Sequence, residues 1–248
     1  MRNKIILGDC IDIMKTIPDG IVDMILSDLP YQITSNKWDQ MIDLNNLWIE
    51  YKRILKQNGV VTLTASQPFT SKLVLSNLEM YKHEWIWQKN RGSNFANTVR
   101  EPFKEHESVL IFSRGKWTYN KQMQERAETG KSRVNYKFNL NSKSENYREF
   151  EGRTKEKGEQ LRVPSSIQKF NVEVGLHPTQ KPTALFEYLI KTYTNEGELV
   201  LDSCAGSGTT GIACKNLNRD YILIEKERKY YDVILSRLNI ESSDEFWN

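Results

Sequence analysis

Cysteine and histidine are scarce in this chain. Each occurs three times, as Cys10, Cys204 and Cys214 and as His83, His106 and His177. No CxxC pair is present and the histidines share no metal-ligand spacing, which argues against a disulfide framework and a zinc site and for reduced, buried thiols. No metal is expected. A phosphate-binding Walker lysine and a Ser/His/Asp arrangement are also missing. No period of 20–50 residues repeats. No apolar run reaches the roughly 18 residues that a membrane span requires. The start, Met1-Arg-Asn-Lys-Ile-Ile-Leu-Gly-Asp9, has no apolar core followed by a small-residue cleavage site. A cytoplasmic chain without membrane contact is therefore expected.

What is present is an ordinary globular composition, 38% hydrophobic and 27% charged over 248 residues. That length suits one α/β domain carrying an inserted segment. The net charge of +3 hides an uneven distribution: Arg114–Lys169 holds 14 Lys/Arg against 7 Asp/Glu, a local +7, so the remainder carries −4. A basic segment on a mildly acidic body fits a polyanion partner, and fits equally a lysine-rich solvated loop region.

Apolar periodicity places strands at Lys4–Leu7, Val22–Ser27, Val60–Thr64, His83–Trp87 and Val109–Phe112. Helices are expected over Asp43–Lys56, with Gly59 just past its end, and over Phe69–Leu78, opened by Pro68. From about Arg114 to Val172 the sequence turns polar, with Tyr119, Tyr136, Phe138, Tyr147 and Phe150 interleaved. The α/β pattern resumes with a helix at Thr183–Tyr193, a strand at Leu199–Leu201, a helix starting at Thr209–Lys215, a strand at Tyr221–Ile224 and a helix at Arg228–Leu238. The boundaries that follow are 1–113, an insertion over 114–172, and 173–248.

Two motifs carry chemistry. In Leu199-Val-Leu-Asp-Ser-Cys-Ala-Gly-Ser-Gly-Thr-Thr-Gly211 an apolar strand runs into Asp202, a turn of small residues, and a helix start. Residues with almost no side chain let backbone approach a ligand closely at a strand's carboxyl end. Glu225 ends the next strand about 20 residues on, where nucleotide-binding α/β folds place a carboxylate for ribose hydroxyls. The second motif, Ser27-Asp-Leu-Pro-Tyr31, closes another strand. An exocyclic base amine is a poor nucleophile, because its lone pair is delocalised into the ring. Hydrogen bonds from it to the Asp28 carboxylate and to the Leu29 or Pro30 carbonyl would draw the nitrogen toward tetrahedral geometry. Pro30 fixes φ and steadies that carbonyl, and the Tyr31 ring can stack on an extruded base.

Together and in this order, tetrapeptide first, basic insertion next, glycine turn last, these motifs resemble the β class of bacterial and phage adenine-N6 and cytosine-N4 DNA methyltransferases. The similarity covers nearly the whole chain outside the insertion. Gly8-Asp9, Trp38-Asp39, Lys104–Ser113 and His177-Pro-Thr-Gln-Lys-Pro182 belong to it. The family pattern has proline second in the tetrapeptide, where this chain has Leu29, a position that contributes backbone.

The resemblance implies a mostly parallel, doubly wound α/β sheet of the S-adenosylmethionine-dependent methyltransferase type, circularly permuted, with an inserted target-recognition region. It implies S-adenosylmethionine as cofactor and double-stranded DNA as partner. A homodimer and a cognate restriction endonuclease are left open as further partners. Asp28, Leu29, Pro30 and Tyr31 are the implied catalytic residues. Asp9 would meet the cofactor's adenine and Glu225 its ribose. Asp28, Asp202, Ala205, Gly206, Ser207, Gly208 and Thr209 would line the methionine end, and His177, Thr179 and Lys181 would close the pocket. Asp at position 28, where cytosine enzymes carry Ser, favours adenine N6. Cytosine N4, an RNA base, and a catalytically inactive DNA-binding relative are the alternatives, and a nicotinamide oxidoreductase would leave the tetrapeptide and the basic insertion unexplained. Asn90–Arg100 reads as a loop closing over the target or as an ordinary surface loop.

Overall fold

The computed structural model describes residues 2–31, 42–126 and 161–240. Trp38-Asp39, the insertion aromatics Tyr136, Phe138, Tyr147 and Phe150, and the C-terminal tail lie outside the described residues. The chain forms two compact units, one of residues 1–120 with 166–248 and one of residues 121–165. In the second unit a short antiparallel pair, β6 (Gln124–Glu125) with β7 (Leu161–Arg162), is described.

The first unit is built on an eight-stranded sheet. Its strands in chain order are β1 (Lys4–Leu7), β2 (Val22–Ser27), β3 (Leu55–Ala65), β4 (Tyr81–Gln88), β5 (His106–Phe112), β8 (Ile167–Lys169), β9 (Leu199–Asp202) and β10 (Asp220–Glu225). They lie in the order β1-β10-β9-β2-β3-β5-β4-β8. The pairs β1/β10, β10/β9, β9/β2, β2/β3 and β4/β8 are parallel, while β5 runs antiparallel to both neighbours. The N-terminal strand thus pairs with the last one, and the two halves of the chain form one sheet as expected.

Strand periodicity explains the layering. Successive side chains point to opposite faces, so Leu110 and Phe112 enter one core while Val109 and Ile111 enter another. Ile222 and Ile224 separate from Tyr221 and Leu223 in the same way. The first core is covered by α1 (Cys10–Met14), α2 (Leu44–Ile54) and α3 (Phe69–Ser76). The second is covered by α4 (Thr183–Tyr193), α5 (Thr209–Asn216) and α6 (Arg228–Leu238). Strands buried on both faces need apolar runs rather than alternation, which is why Leu199–Leu201 and Tyr221–Ile224 read as short continuous hydrophobic stretches.

Three details depart from the sequence reading. The second helix ends at Ile54, and Leu55 already pairs with Val22, so Gly59 lies inside β3 and not beyond a helix end. A Cβ at Gly59 would stand 2.7 Å from the Leu55 side chain, so close packing accounts for the glycine. Helix α1, only five residues long, went unread. Residues 166–172, assigned by composition to the insertion, include β8, which extends the main sheet along β4. No helix among the described residues is long and apolar enough to cross a membrane.

Leu201 is fully buried on a central strand, whereas Leu75 is 70% exposed. Leu201→Ala is expected to destabilise the fold by about 2–5 kcal/mol. Leu75→Ala should stay within about 0.5 kcal/mol. Urea midpoints measure both.

Candidate active site

Parallel strands end on the same edge of a sheet, and loops leaving those ends frame a crevice. Here that edge gathers Gly8 and Asp9 after β1, Glu225 at the end of β10, Asp202 at the end of β9 with Ser203–Ser207 and Thr209 beyond it, and Asp28–Tyr31 after β2, all lining one cleft of about 1080 Å³. The antiparallel β5 contributes its beginning to the same edge, which brings Glu107 into the cleft. The segment Val172–Lys181 and loop residues Arg91–Asn97 complete the wall. Every described residue assigned from the sequence to tetrapeptide, turn and pocket closure except Gly208 lines this cleft.

The glycine turn is built for close approach. Gly206 and Gly208 take φ of +52° and +79°, a left-handed backbone that side chains disfavour. At Gly208 a Cβ would also press to 3.0 Å from Ile234 of α6. At Gly206 its nearest neighbour would be the His177 ring at 3.7 Å, so this backbone is open on the cleft side. The turn is held from outside by Arg237, whose guanidinium donates to the Ser207 carbonyl at 2.8 Å. Arg237 had no distinguishing mark in the sequence, since a last-turn arginine is common on helices.

The acids divide by what their oxygens already do. Asp202, 2% exposed, accepts at Oδ1 from Ser27 Oγ (2.9 Å) and the Cys204 amide (3.1 Å), and at Oδ2 from Thr210 Oγ1 (2.5 Å). Burial lifts its carboxyl to about 6 against these hydrogen bonds, which favour the anion. Its oxygens are spent on the turn itself, so Asp202 shapes the glycine turn more than it presents a free acceptor. Glu225 accepts the Gly206 amide at 2.7 Å and the Glu227 amide at 2.8 Å, and burial raises its pKa. Asp9 caps α1 through the Ile11 amide at 3.0 Å and meets Lys226 at 3.3 Å.

Across the cleft, Asp28 is as heavily engaged as Asp202, and one of its partners is a cation. Its Oδ1 accepts from Tyr31 Oη and Thr64 Oγ1, each at 2.5 Å, and its Oδ2 accepts from Lys181 Nζ at 2.5 Å. The Leu29 side chain, 3% exposed, packs into the first core, so position 29 offers the cleft only backbone. The Tyr31 ring lies 5.2 Å from that of Phe69, and burial and the Asp28 charge push its hydroxyl pKa well up. The His177 ring, 4.3 Å from Tyr230, accepts the Thr179 amide at Nδ1 (3.2 Å). Burial lowers its pKa to about 4, outweighing the Asp28 charge, so His177 is neutral near pH 7 and carries its proton on Nε2. Ala205 donates to Ile224 across the strand ends at 2.9 Å, and Thr209 Oγ1 approaches the Lys181 carbonyl at 3.4 Å.

The sequence reading assigned no role to Glu107, Lys89 or Thr64. Glu107 forms a 2.5 Å ion pair with Lys89 and lies 3.6 Å from Lys181 Nζ. In the sequence Glu107 is one of three polar residues, His106, Glu107 and Ser108, ahead of the apolar run Val109–Phe112, so no local signal set it apart. Loop 90–100 does reach the cleft, with Phe95 at its surface, 83% exposed.

The cleft fits S-adenosylmethionine by its acceptors and its openings. Unshielded backbone at Gly206 admits a ligand, the Asp9 and Glu225 carboxylates suit amine and hydroxyl donors, and the Tyr230 and His177 rings provide an apolar wall.

Residues 22–236 match the profile of the N6/N4 methylase family, described as DNA methylase. The Type II methyltransferase M.HinfI of Haemophilus influenzae is 30% identical, an alignment covering 95% of this chain and 68% of that protein. The Type II methyltransferase M2.DpnII of Streptococcus pneumoniae is 27% identical over 97% of this chain and 92% of its own length. Among solved structures, the M1.HpyAVI–SAM complex superposes with a TM-score of 0.65 at 27% identity, covering 96% of this chain and 99% of that one. The cytosine-N4-specific PvuII DNA methyltransferase shares the fold, with a TM-score of 0.65 at 14% identity over 100% of this chain and 89% of its own.

Because the folded state raises the Asp202 carboxyl from 3.8 to about 6, it binds that proton more tightly than the unfolded chain does. The stabilisation is whole below the unfolded value and is lost as pH rises through the folded one. Between about pH 4 and pH 7 the wild type is expected to lose about 2 kcal/mol relative to Asp202→Asn. Urea unfolding of both proteins across that window measures it.

Proposed function

The chain belongs to the N6/N4 DNA methylase family, and we propose that within it this protein transfers a methyl group from S-adenosylmethionine to N6 of adenine in duplex DNA. The observation that carries the reading is the direct pairing of β2 with β9, Met24 to Val200 and Ile25 to Leu201. It sets the Asp28 carboxylate beside the open glycine turn, so an acceptor for an amine and a cradle for a methyl donor share one cleft.

When bound, S-adenosylmethionine supplies a sulfonium methyl, which takes up an electron pair as its sulfur leaves as a neutral thioether. The chain's own residues prepare that pair. Asp28, an acceptor-only group, takes a hydrogen bond from the target amine and localises its lone pair. A backbone carbonyl at Leu29 or Pro30 takes the second amine hydrogen. Tyr31, backed by Phe69, offers a ring for the extruded base. Asp9 and Glu225 hold the cofactor's nucleoside end, while Ala205–Thr209 with His177, Thr179 and Lys181 surround its methionine end. As the N–C bond forms, the amine becomes cationic and releases one proton toward solvent, with Asp28 orienting it. A carboxylate at position 28, where cytosine enzymes carry serine, supports adenine as the target.

The inserted segment ahead of β8 is assigned to target recognition, on the support of the +7 balance over Arg114–Lys169: lysines and arginines for phosphates, with some arginines for guanine edges. The Type II names of the relatives support a restriction endonuclease as the enzyme's counterpart.

Purified protein with methyl-labelled S-adenosylmethionine is expected to label duplex DNA, and mass analysis of the digested nucleosides to return N6-methyladenine. N4-methylcytosine would replace the adenine assignment. At saturating S-adenosylmethionine, Asp28→Ala should lower kcat at least about 100-fold, as loss of a transition-state contact does. Equal turnover by wild type and Asp28→Ala would refute the role given to Asp28.

A further inference from the structure

Lys181 stands where the proposed reaction needs room. Its ammonium donates to Asp28 Oδ2 at 2.5 Å, and the other Asp28 oxygen already accepts two hydroxyls. The same ammonium lies over the Tyr31 ring, 5.7 Å from its centroid. It therefore covers both the carboxylate that should receive the target amine and a face of the ring that should receive the target base. A cation on Asp28 also withdraws the electron density by which that carboxylate would polarise an amine.

A second dock is built beside it. Glu107 Oε2 is buried and accepts no hydrogen bond, and its one contact with a cation is a long ion pair to Lys181 Nζ at 3.6 Å. A buried carboxylate oxygen without a donor is costly and uncommon. Glu107 Oε1 is fixed by Lys89 at 2.5 Å, so the acid cannot swing to meet Lys181 without breaking that pair. The lysine, on its flexible stem, is the member that can move.

We propose that Glu107 is a positioning residue: on entry of the target amine the Lys181 ammonium shifts from Asp28 Oδ2 to Glu107 Oε2. The shift frees Asp28 for the amine without leaving a buried cation unpaired. Lys181 is thus a placeholder, filling the acceptor site until a base arrives. The charges support this exchange. Burial alone would lower the Lys181 pKa, but Asp28 and Glu107 hold it above its usual value. Burial alone would raise that of Glu107, but Lys181 and Lys89 hold it below the usual carboxylate range. Both partners stay charged through neutral pH, so a shift of ammonium between carboxylates needs no proton transfer. The inference rests on the role given above to Asp28.

Glu107→Gln removes the second dock and leaves Lys181 on Asp28. With saturating S-adenosylmethionine, its kcat on target duplex is expected to fall at least tenfold, while KM for DNA and the dissociation constant for S-adenosylmethionine stay within threefold. A merely structural role would move all three together with the melting temperature. Adding Lys181→Met to Glu107→Gln removes the trapped cation, so the double variant should turn over faster than Glu107→Gln alone. Should Glu107→Gln fail to fold, Glu107→Asp with and without Lys181→Met provides the same comparison, because the shorter arm withdraws the dock. The proposal is overturned if the single variant keeps kcat within twofold of wild type, or if the double variant is slower than the single. Asp28→Ala, assayed in parallel, separates the two readings. Activity there would remove the role of Asp28 and this inference with it, whereas an inactive Asp28→Ala beside a fully active Glu107 variant would remove this inference alone.

Discussion

Strands β2 and β9 come from opposite ends of the chain, and their parallel contact is sealed by buried hydroxyls. Ser27 Oγ donates to Asp202 and accepts the Ser203 amide at 2.8 Å, and the Tyr51 hydroxyl, from α2, lies 2.6 Å from Ser203 Oγ. Each buried polar group in this knot has a partner inside it, so breaking one leaves another unsatisfied. The register matters as much as the contact. A slip of one residue would turn Ser27 to the opposite face and carry Asp28 away from the crevice. The geometry of the cleft depends on this joint, because Asp28 follows Ser27 directly and the glycine turn follows Asp202 directly.

Around that joint the electrostatics separate two kinds of acid. Asp202 is enclosed by neutral donors, and its carboxyl is pushed up to about 6. It is an architectural group, and its burial costs stability near neutral pH. Asp28 and Glu107 instead face Lys181, with Lys89 on the far side of Glu107. Two carboxylates and two ammoniums make a nearly neutral set, which tolerates burial where a lone charge would not. Ion pairs of this kind are weak evidence of stabilisation, since hydrophobic replacements often match them. These four charges all line the cleft, largely buried. His177, neutral near pH 7, adds shape and a hydrogen bond without adding charge.

Much of the scaffold was legible because its signals are local. Thr183–Tyr193 and Arg228–Leu238 emerge as helices at the limits read from periodicity, and Lys4–Leu7 and Val22–Ser27 as strands. Other limits were hidden by tertiary pairing. Gly59 looks like a helix stop until Leu55 is seen paired with Val22, and β8 looks like part of a polar insertion until Ile167 is seen against Ile86. Leu29 was the one departure from the family tetrapeptide, and its side chain packs into the first core.

The sequence by itself determined which short segments end the strands that frame the cleft: an acid, a proline and a ring at one strand's end, a turn of small residues at another's, and a carboxylate closing a third. Those properties belong to consecutive residues and survive being read one window at a time. Only the tertiary structure decided that Lys181, 153 residues from Asp28, rests on it, and that Glu107 stands within reach of the same ammonium. The reason is topological. One antiparallel strand in a mostly parallel sheet brings its beginning to the edge where its neighbours end, and no pattern along the chain announces which strand will run backwards.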